Sequence, residues 1–170
     1  MTALRPYQAE AVARLRAAYG AGARAPLLVL PTGGAKTLIF SHICAGAAAR
    51  GKRALVLVHR RELIRQASAK LHAAGVAHGI VAPGFSATRD AIQVASVQTL
   101  GRRLARSAAR GVDLIVIDEA HHAAAGMWRR IVDAFPGARL LGVTATPERL
   151  DGKGLGAGAG GPFDMLVDGP

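Results

Sequence analysis

The chain has 170 residues, 51% of them hydrophobic but only 4% aromatic, and a formal net charge of +11. That much apolar material builds one domain with a real core and excludes a disordered chain; Val, Leu, Ile and Ala must do the packing. The basic excess suggests an anionic partner, with nucleic acid first, although a solubilising surface would give the same number.

A single cysteine, Cys44, excludes an internal disulfide and fits a reducing, cytoplasmic setting. No apolar run is long enough to span a membrane, and the first residues lack the pattern of a signal peptide, so no membrane partner is expected.

In chain order, residues 7–19 read as an amphipathic helix opened by Pro6, which suits a first helical position. Residues 26–30 form a short apolar run that ends at a proline and a glycine pair, a buried strand. A helical pattern follows over 36–49, a second buried strand over 53–58 and a helix near 60–73. Residues 76–81 suit a short strand and 91–96 a further one, with a helix after it to about Arg110. Residues 113–118 are another strand, followed by a helix near 124–134 and a last strand over 138–146. Strands that alternate with helices, and that are apolar on both faces, imply a parallel sheet covered on both sides.

In such folds the functional groups gather at the C-terminal ends of the strands. Here PTGGAKT, HRREL, SVQTL, DEAH and TAT all follow strand ends. After Leu150 the chain turns glycine-rich and reads as a linker. Gly156, Gly158 and Gly161 match G-x-G-x-x-G, but no strand precedes them and no helix follows, so a dinucleotide site is discounted.

Two of these loops carry chemistry. A strand that turns sharply into a helix through PTGGAKT aims backbone N–H groups and a helix N-terminus at one point, which suits a phosphate. Lys36 would reach the β- and γ-phosphates and the Thr37 hydroxyl would ligate Mg²⁺. At the end of DLIVID, Asp118 would hold the Mg²⁺ and Glu119 would act as general base on the attacking water. The alternative for these two acids is an ordinary helix start, where carboxylates are favoured. His121 and His122 lack the spacing of zinc ligands. Arg60, Arg61, Ser96, Gln98 and Thr99 lie at strand ends and could hold phosphates without reading sequence; with no aromatics interleaved, base stacking is not expected to dominate.

Together these residues resemble the first, N-terminal RecA-like lobe of a superfamily-two DEAD/DEAH-box helicase, in its phage-type or restriction-subunit-like branch. The likeness runs from Leu4 to about Leu150 in the order of the family's motifs. It implies a RecA-like P-loop NTPase fold, a three-layer α/β/α domain with a mainly parallel sheet over 1–150, and a linker or the start of a second lobe over 151–170.

LRPYQAEA is similar to the adenine-recognition segment, with Gln8 on the base edge supported by Arg5 and Tyr7. LPTGGAKT is similar to motif I, which implies nucleotide contacts from Thr32, Gly33, Gly34, Ala35, Lys36 and Thr37. VLVHRREL and VASVQTL resemble motifs Ia and Ib, which contact the nucleic-acid backbone, and VIDEAHH resembles motif II. VTATP resembles motif III, where Thr144 and Thr146, with His121, couple hydrolysis to strand binding. The resemblance implies ATP and Mg²⁺ as cofactors and nucleic acid as partner, DNA rather than RNA.

Two departures stand out. Ala35 occupies a position where the family has glycine. Alanine at positive φ costs roughly 1–2 kcal/mol, so ATP affinity is expected to be about tenfold weaker. The second RecA-like lobe, which supplies arginine fingers, has no counterpart here. It would have to come in cis or in trans, and the chain alone is expected to hydrolyse little ATP. The competing reading is a non-enzymatic fragment with a crippled nucleotide site that binds nucleic acid or a partner.

Overall fold

A computed structural model describes residues 4–31, 35–104, 111–120, 126–146, 155–156 and 161–169. Seven strands form one sheet: β1 (Pro26–Val29), β2 (Ala54–Val58), β3 (His78–Val81), β4 (Ile92–Ser96), β5 (Leu114–Asp118), β6 (Arg139–Thr144) and β7 (Met165–Asp168). Their order is β3-β4-β2-β5-β6-β1-β7, and every pairing is parallel.

The helices are α1 (Pro6–Gly20), α2 (Ala35–Ala48), α3 (Arg61–Ala73), α4 (Val97–Arg102) and α5 (Met127–Asp133). Helices α1, α2 and α3 cover one face, through Val12, Leu15, Ile39, Phe40, Ile64 and Leu71. Helices α4 and α5 cover the other, through Leu100, Trp128 and Ile131.

The two-residue period of a strand divides the apolar runs between these layers. Leu28, Val56 and Val58 join the first core, whereas Leu27, Leu55 and Leu57 join the second. This is why the strands read as unbroken apolar segments: both of their faces are dry. Cys44 is fully buried, and burial pushes its thiol up to about 12, which makes it a core residue rather than a nucleophile. Among the described residues, no helix is long and apolar enough to cross a membrane.

The largest difference from the sequence reading is at the tail. Met165–Asp168, expected within a glycine-rich linker, is strand β7, which pairs with β1 along its whole length. Only Val167 of its four residues is buried, so the strand has no alternating apolar signal. It is fixed instead by backbone and polar contacts. The Asp164 carboxylate accepts the N–H groups of Arg24 and Ala25 at 2.7 and 3.1 Å, and Arg14 donates to the Asp168 carbonyl at 2.7 Å.

Just upstream of β7, the Phe163 ring lies where a side chain at position 142 would be, so Gly142 is what lets the tail close on β6. Helix α4 covers Val97–Arg102 and Leu104 is again helical; the rest of the stretch expected to be helical, residues 105–110, lies outside the described residues.

Candidate functional site

The chain leaves β1 toward α2 on one face of the sheet, and leaves β5 toward α5 on the other. From β6 it runs on to Leu155 on that second face. Connections that part in this way mark the usual place for a ligand in an open α/β sheet, here beyond the C-terminal ends of β1 and β6. Registers bring the motif loops there: Val29 pairs with Thr144, and Asp118 with Val143.

Lys36, in the first turn of α2, reaches past the end of β6 to Glu119. Its Nζ lies 2.9 Å from Glu119 Oε1, although the two residues are 83 positions apart in sequence. Lys36 is 6% exposed, so its ammonium is largely stripped of water and needs an anionic partner.

The carboxylates are held under electrostatic tension. Burial, reinforced by the neighbouring charge of Glu119, pushes Asp118 up to about 6; the Glu119 N–H and the charge of Lys36 oppose the shift. That N–H donates to Asp118 Oδ1 at 3.0 Å. Glu119 itself has φ +50, the one non-glycine residue with positive φ among those described. For a residue with a Cβ, that conformation costs roughly 1–2 kcal/mol and persists only where its surroundings fix it. Here the ion pair to Lys36 and the bond to Asp118 do so.

One ammonium faces two carboxylates, which leaves a site that suits a hard cation. Among the described residues, no group of three or more His, Cys, Asp or Glu side chains could hold a metal alone. A cation here would therefore draw further oxygens from a hydroxyl, water or phosphate, as Mg²⁺ does.

The other predicted residues fall into separate groups. Ala35 opens helix α2. A right-handed helix start carries no positive-φ penalty for alanine, so the backbone strain expected there does not arise. Thr32, Gly33, Gly34 and His121 lie outside the described residues. Thr37 is half-buried, and its carbonyl accepts the Ser41 hydroxyl at 2.7 Å.

Gln8 is buried. Its Oε1 accepts the Arg5 N–H at 2.9 Å and its amide donates to the Tyr7 hydroxyl at 3.3 Å, so the three residues close on one another at the start of α1. Thr144 is buried at the end of β6. Its hydroxyl donates to the Thr146 carbonyl at 2.8 Å and accepts the Thr146 N–H at 3.2 Å.

Arg60 and Arg61 are exposed where β2 passes into α3, beside the end of β4, because Val58 pairs with Ser96. Ser96 caps α4: its hydroxyl accepts the Thr99 N–H at 3.4 Å and donates to Gln98 Oε1 at 2.9 Å. Phe85, which the sequence reading did not weigh, is exposed in a groove that Arg65 also lines. The dipeptide Pro83-Gly84 is a turn signal that could have located it.

Residues 1–149 match the model of the ResIII family, type III restriction enzyme, res subunit. The "Putative ATP-dependent helicase IRC3" of Saccharomyces cerevisiae is 36% identical over 169 residues, covering 89% of this chain and 24% of that protein. The "DNA 3'-5' translocase XPB2" of Sulfurisphaera tokodaii is 32% identical over 154 residues, covering 88% of this chain and 32% of that one. The chain thus spans only 24% and 32% of the length of these two relatives.

The crystal structure of the UvsW helicase from bacteriophage T4 superposes with a TM-score of 0.78 at 17% identity, over 96% of this chain and 59% of that one, which shows the shared fold. Fold, motif order and family match agree: this chain belongs to the ResIII family, as an N-terminal RecA-like lobe of restriction-subunit-like, superfamily-two type.

Proposed function

We propose that this lobe binds ATP with Mg²⁺ beyond the C-terminal ends of β1 and β6, and that turnover requires a second RecA-like lobe, in cis or in trans, to close over it. The observation that carries this reading is the Lys36–Glu119 ion pair at 2.9 Å. It brings a phosphate-seeking ammonium and a candidate base to one point from distant parts of the chain. Triphosphate oxygens compete with Glu119 for the Lys36 ammonium. As Lys36 moves to them, the Glu119 carboxylate loses this ion pair and can accept a proton from water. Asp118 and Thr37 would hold Mg²⁺, which supplies charge neutralisation on the phosphates.

Gln8 exchanges its bonds to Arg5 and Tyr7 for the edge of the base. Thr144 and Thr146, on the strand next to Asp118, with His121, link the γ-phosphate site to the strand track. That track runs over Arg60, Arg61, Ser96, Gln98 and Thr99 and takes DNA rather than RNA, in keeping with the relative described as a DNA translocase. A second lobe supplies the missing cation on the γ-phosphate, an effect of about 10³–10⁵ in rate. A lone buried thiol is compatible with the reducing cytoplasm.

Titration of a fluorescent ATP analogue, with and without Mg²⁺, tests the reading. The wild-type chain binds in a Mg²⁺-dependent way and Lys36→Ala loses at least an order of magnitude. Glu119→Gln binds at least as tightly as wild type, because Lys36 is no longer held by a carboxylate. Failure of the wild-type chain to bind, or equal binding by Lys36→Ala, refutes it.

A further inference from the structure

The chain has four phenylalanines. Phe40, Phe135 and Phe163 are buried in the two cores, whereas Phe85 is 44% exposed. Its position is set by the local sequence. In Ala82-Pro83-Gly84-Phe85, the Phe85 N–H donates to the Ala82 carbonyl at 3.3 Å, and Gly84 has φ +85. Proline at the second position and a glycine of positive φ at the third define a type II turn, whose backbone those two residues predispose.

The loop beyond the turn is tied down. The Gln93 amide donates to the Thr88 hydroxyl at 3.2 Å and to the Asp90 carbonyl at 2.9 Å. A side chain at Gly79 would collide with both Thr88 and Gln93. Hydrogen bonds at the turn and at Thr88 and Asp90 thus restrain the loop on either side of residues 86 and 87, which lowers the ordering entropy lost on contact with a partner.

Phe85 borders an open groove of about 600 Å³. Arg65, Ser68, Ala69 and His72 of α3 and His78 and Ile80 of β3 line the rest. The groove is braced by His78, whose Nδ1–H donates to the Val76 carbonyl at 2.8 Å while Nε2 accepts the Ser68 hydroxyl at 2.7 Å. No acid lines it among the described residues, and its fixed charge is the Arg65 guanidinium.

The loop that carries Phe85 leaves β3 at the rim where the proposed strand track runs, and the groove extends from there along α3 toward His72 and His78. Val58 pairs with Ser96 and Val81 with Ala95, so the C-terminal ends of β2, β4 and β3 stand side by side. A strand that passes Arg60, Arg61 and then Ser96 next meets the loop that carries Phe85.

We propose that Phe85 is a stacking platform for a base of single-stranded nucleic acid, and that Arg65 holds the adjoining phosphate. This rests on the strand-binding half of the proposed function and adds to it a base contact that the hydroxyls and arginines of the track lack. A flat ring beside a guanidinium is the pairing that sequence-tolerant single-strand sites use. A protein hot spot would instead set its aromatic anchor among other apolar side chains, and Ile80 is the only large one here.

The test uses the full chain and two fluorescein-labelled oligonucleotides of roughly twelve residues, within the range of a single-strand site. One is oligo(dT) and the other an abasic sugar-phosphate strand of equal length; binding is read by anisotropy across a salt series. Phe85→Ala and Phe85→Leu weaken oligo(dT) binding about tenfold, leave the abasic strand unaffected and keep the salt slope. Arg65→Gln weakens both strands and lowers the salt slope by about one.

If the wild-type chain binds oligo(dT) and both Phe85 variants bind it equally well, the stacking role is overturned and the patch is left to a protein partner. If the wild-type chain binds neither strand, the strand-binding reading fails and takes this inference with it.

Discussion

Replacing Asp118 by asparagine separates what the site contributes to function from what it does to stability. In the folded chain, burial and the charge of Glu119 raise the Asp118 carboxyl from 3.8 to about 6. The folded state therefore holds this proton more tightly than the unfolded chain does. The stability that the proton confers is complete below about pH 4 and is lost as pH rises through 6.

A difference of about two pH units corresponds to about 3 kcal/mol at neutral pH, and partial access to water at Asp118 lowers this to roughly 1–2 kcal/mol. Asparagine keeps the size of the side chain and an Oδ1 acceptor for the Glu119 N–H, and removes only the charge. At pH 7 the Asp118→Asn chain should be the more stable by that amount, which raises Tm by roughly 2–8 °C for a domain of this size. The advantage should vanish near pH 4.

Thermal unfolding of both chains, followed by circular dichroism from pH 4 to 8, measures the difference directly. Mg²⁺-dependent nucleotide binding should be lost in the same variant. A variant no more stable than wild type at pH 7, or one whose advantage is the same at every pH, would show that Asp118 is not the strained group described here.

Three further substitutions test other parts of the argument. Ala35→Gly should leave ATP affinity within about twofold of wild type, read by the same titration, because alanine at a helix start carries no positive-φ penalty; a tenfold gain would show that the position restrains the nucleotide after all. Phe163→Ala empties the space over Gly142 and should cost about 3 kcal/mol in urea denaturation, whereas adding Gly142→Ala to it should cost less than Gly142→Ala alone, because the colliding ring is gone. Asp113 is held below the ordinary carboxylate range, first by the Arg53 N–H and then by Lys52. Asp113→Asn should therefore be less stable than wild type at pH 7, by a margin that disappears as pH falls below 3.8, in the same pH-resolved unfolding series.

The central strands and the main helices were legible because their signals are local. Val56 and Val58 enter one core and Leu55 and Leu57 the other, so β2 could only read as a buried strand. The loops were legible because chemistry follows strand ends in this architecture. What the sequence concealed depends on partners distant in the chain. Strand β7 has one buried side chain and is held by Asp164 against Arg24 and Ala25, about 140 residues away. The left-handed backbone of Glu119 follows from Lys36 and Asp118, since its own residue type argues against it. The backbone strain expected at Ala35 does not arise, for the opposite reason: glycine's freedom matters at positive φ, and a helix start does not require it.

Strand order also fixes how near the two halves of the proposed machine stand. β5 lies between β6 and β2. Asp118 and Glu119 therefore emerge one strand spacing, about 5 Å, from the chain that leaves β2 toward Arg60 and Arg61. On the other side, β6 alone separates them from β1, whose loop leads to Lys36. The Glu119 backbone sits at this junction in a conformation that its contacts must hold in place. A nucleotide that draws Lys36 away removes one of those contacts, and the exit of β2 and the Thr144 end of β6 both lie one strand away to register the change. Coupling between triphosphate and strand thus needs no long chain of intermediaries. In the proposed machine, the end of β5 would serve as the coupling element, biased from one side by phosphate and from the other by the nucleic-acid backbone.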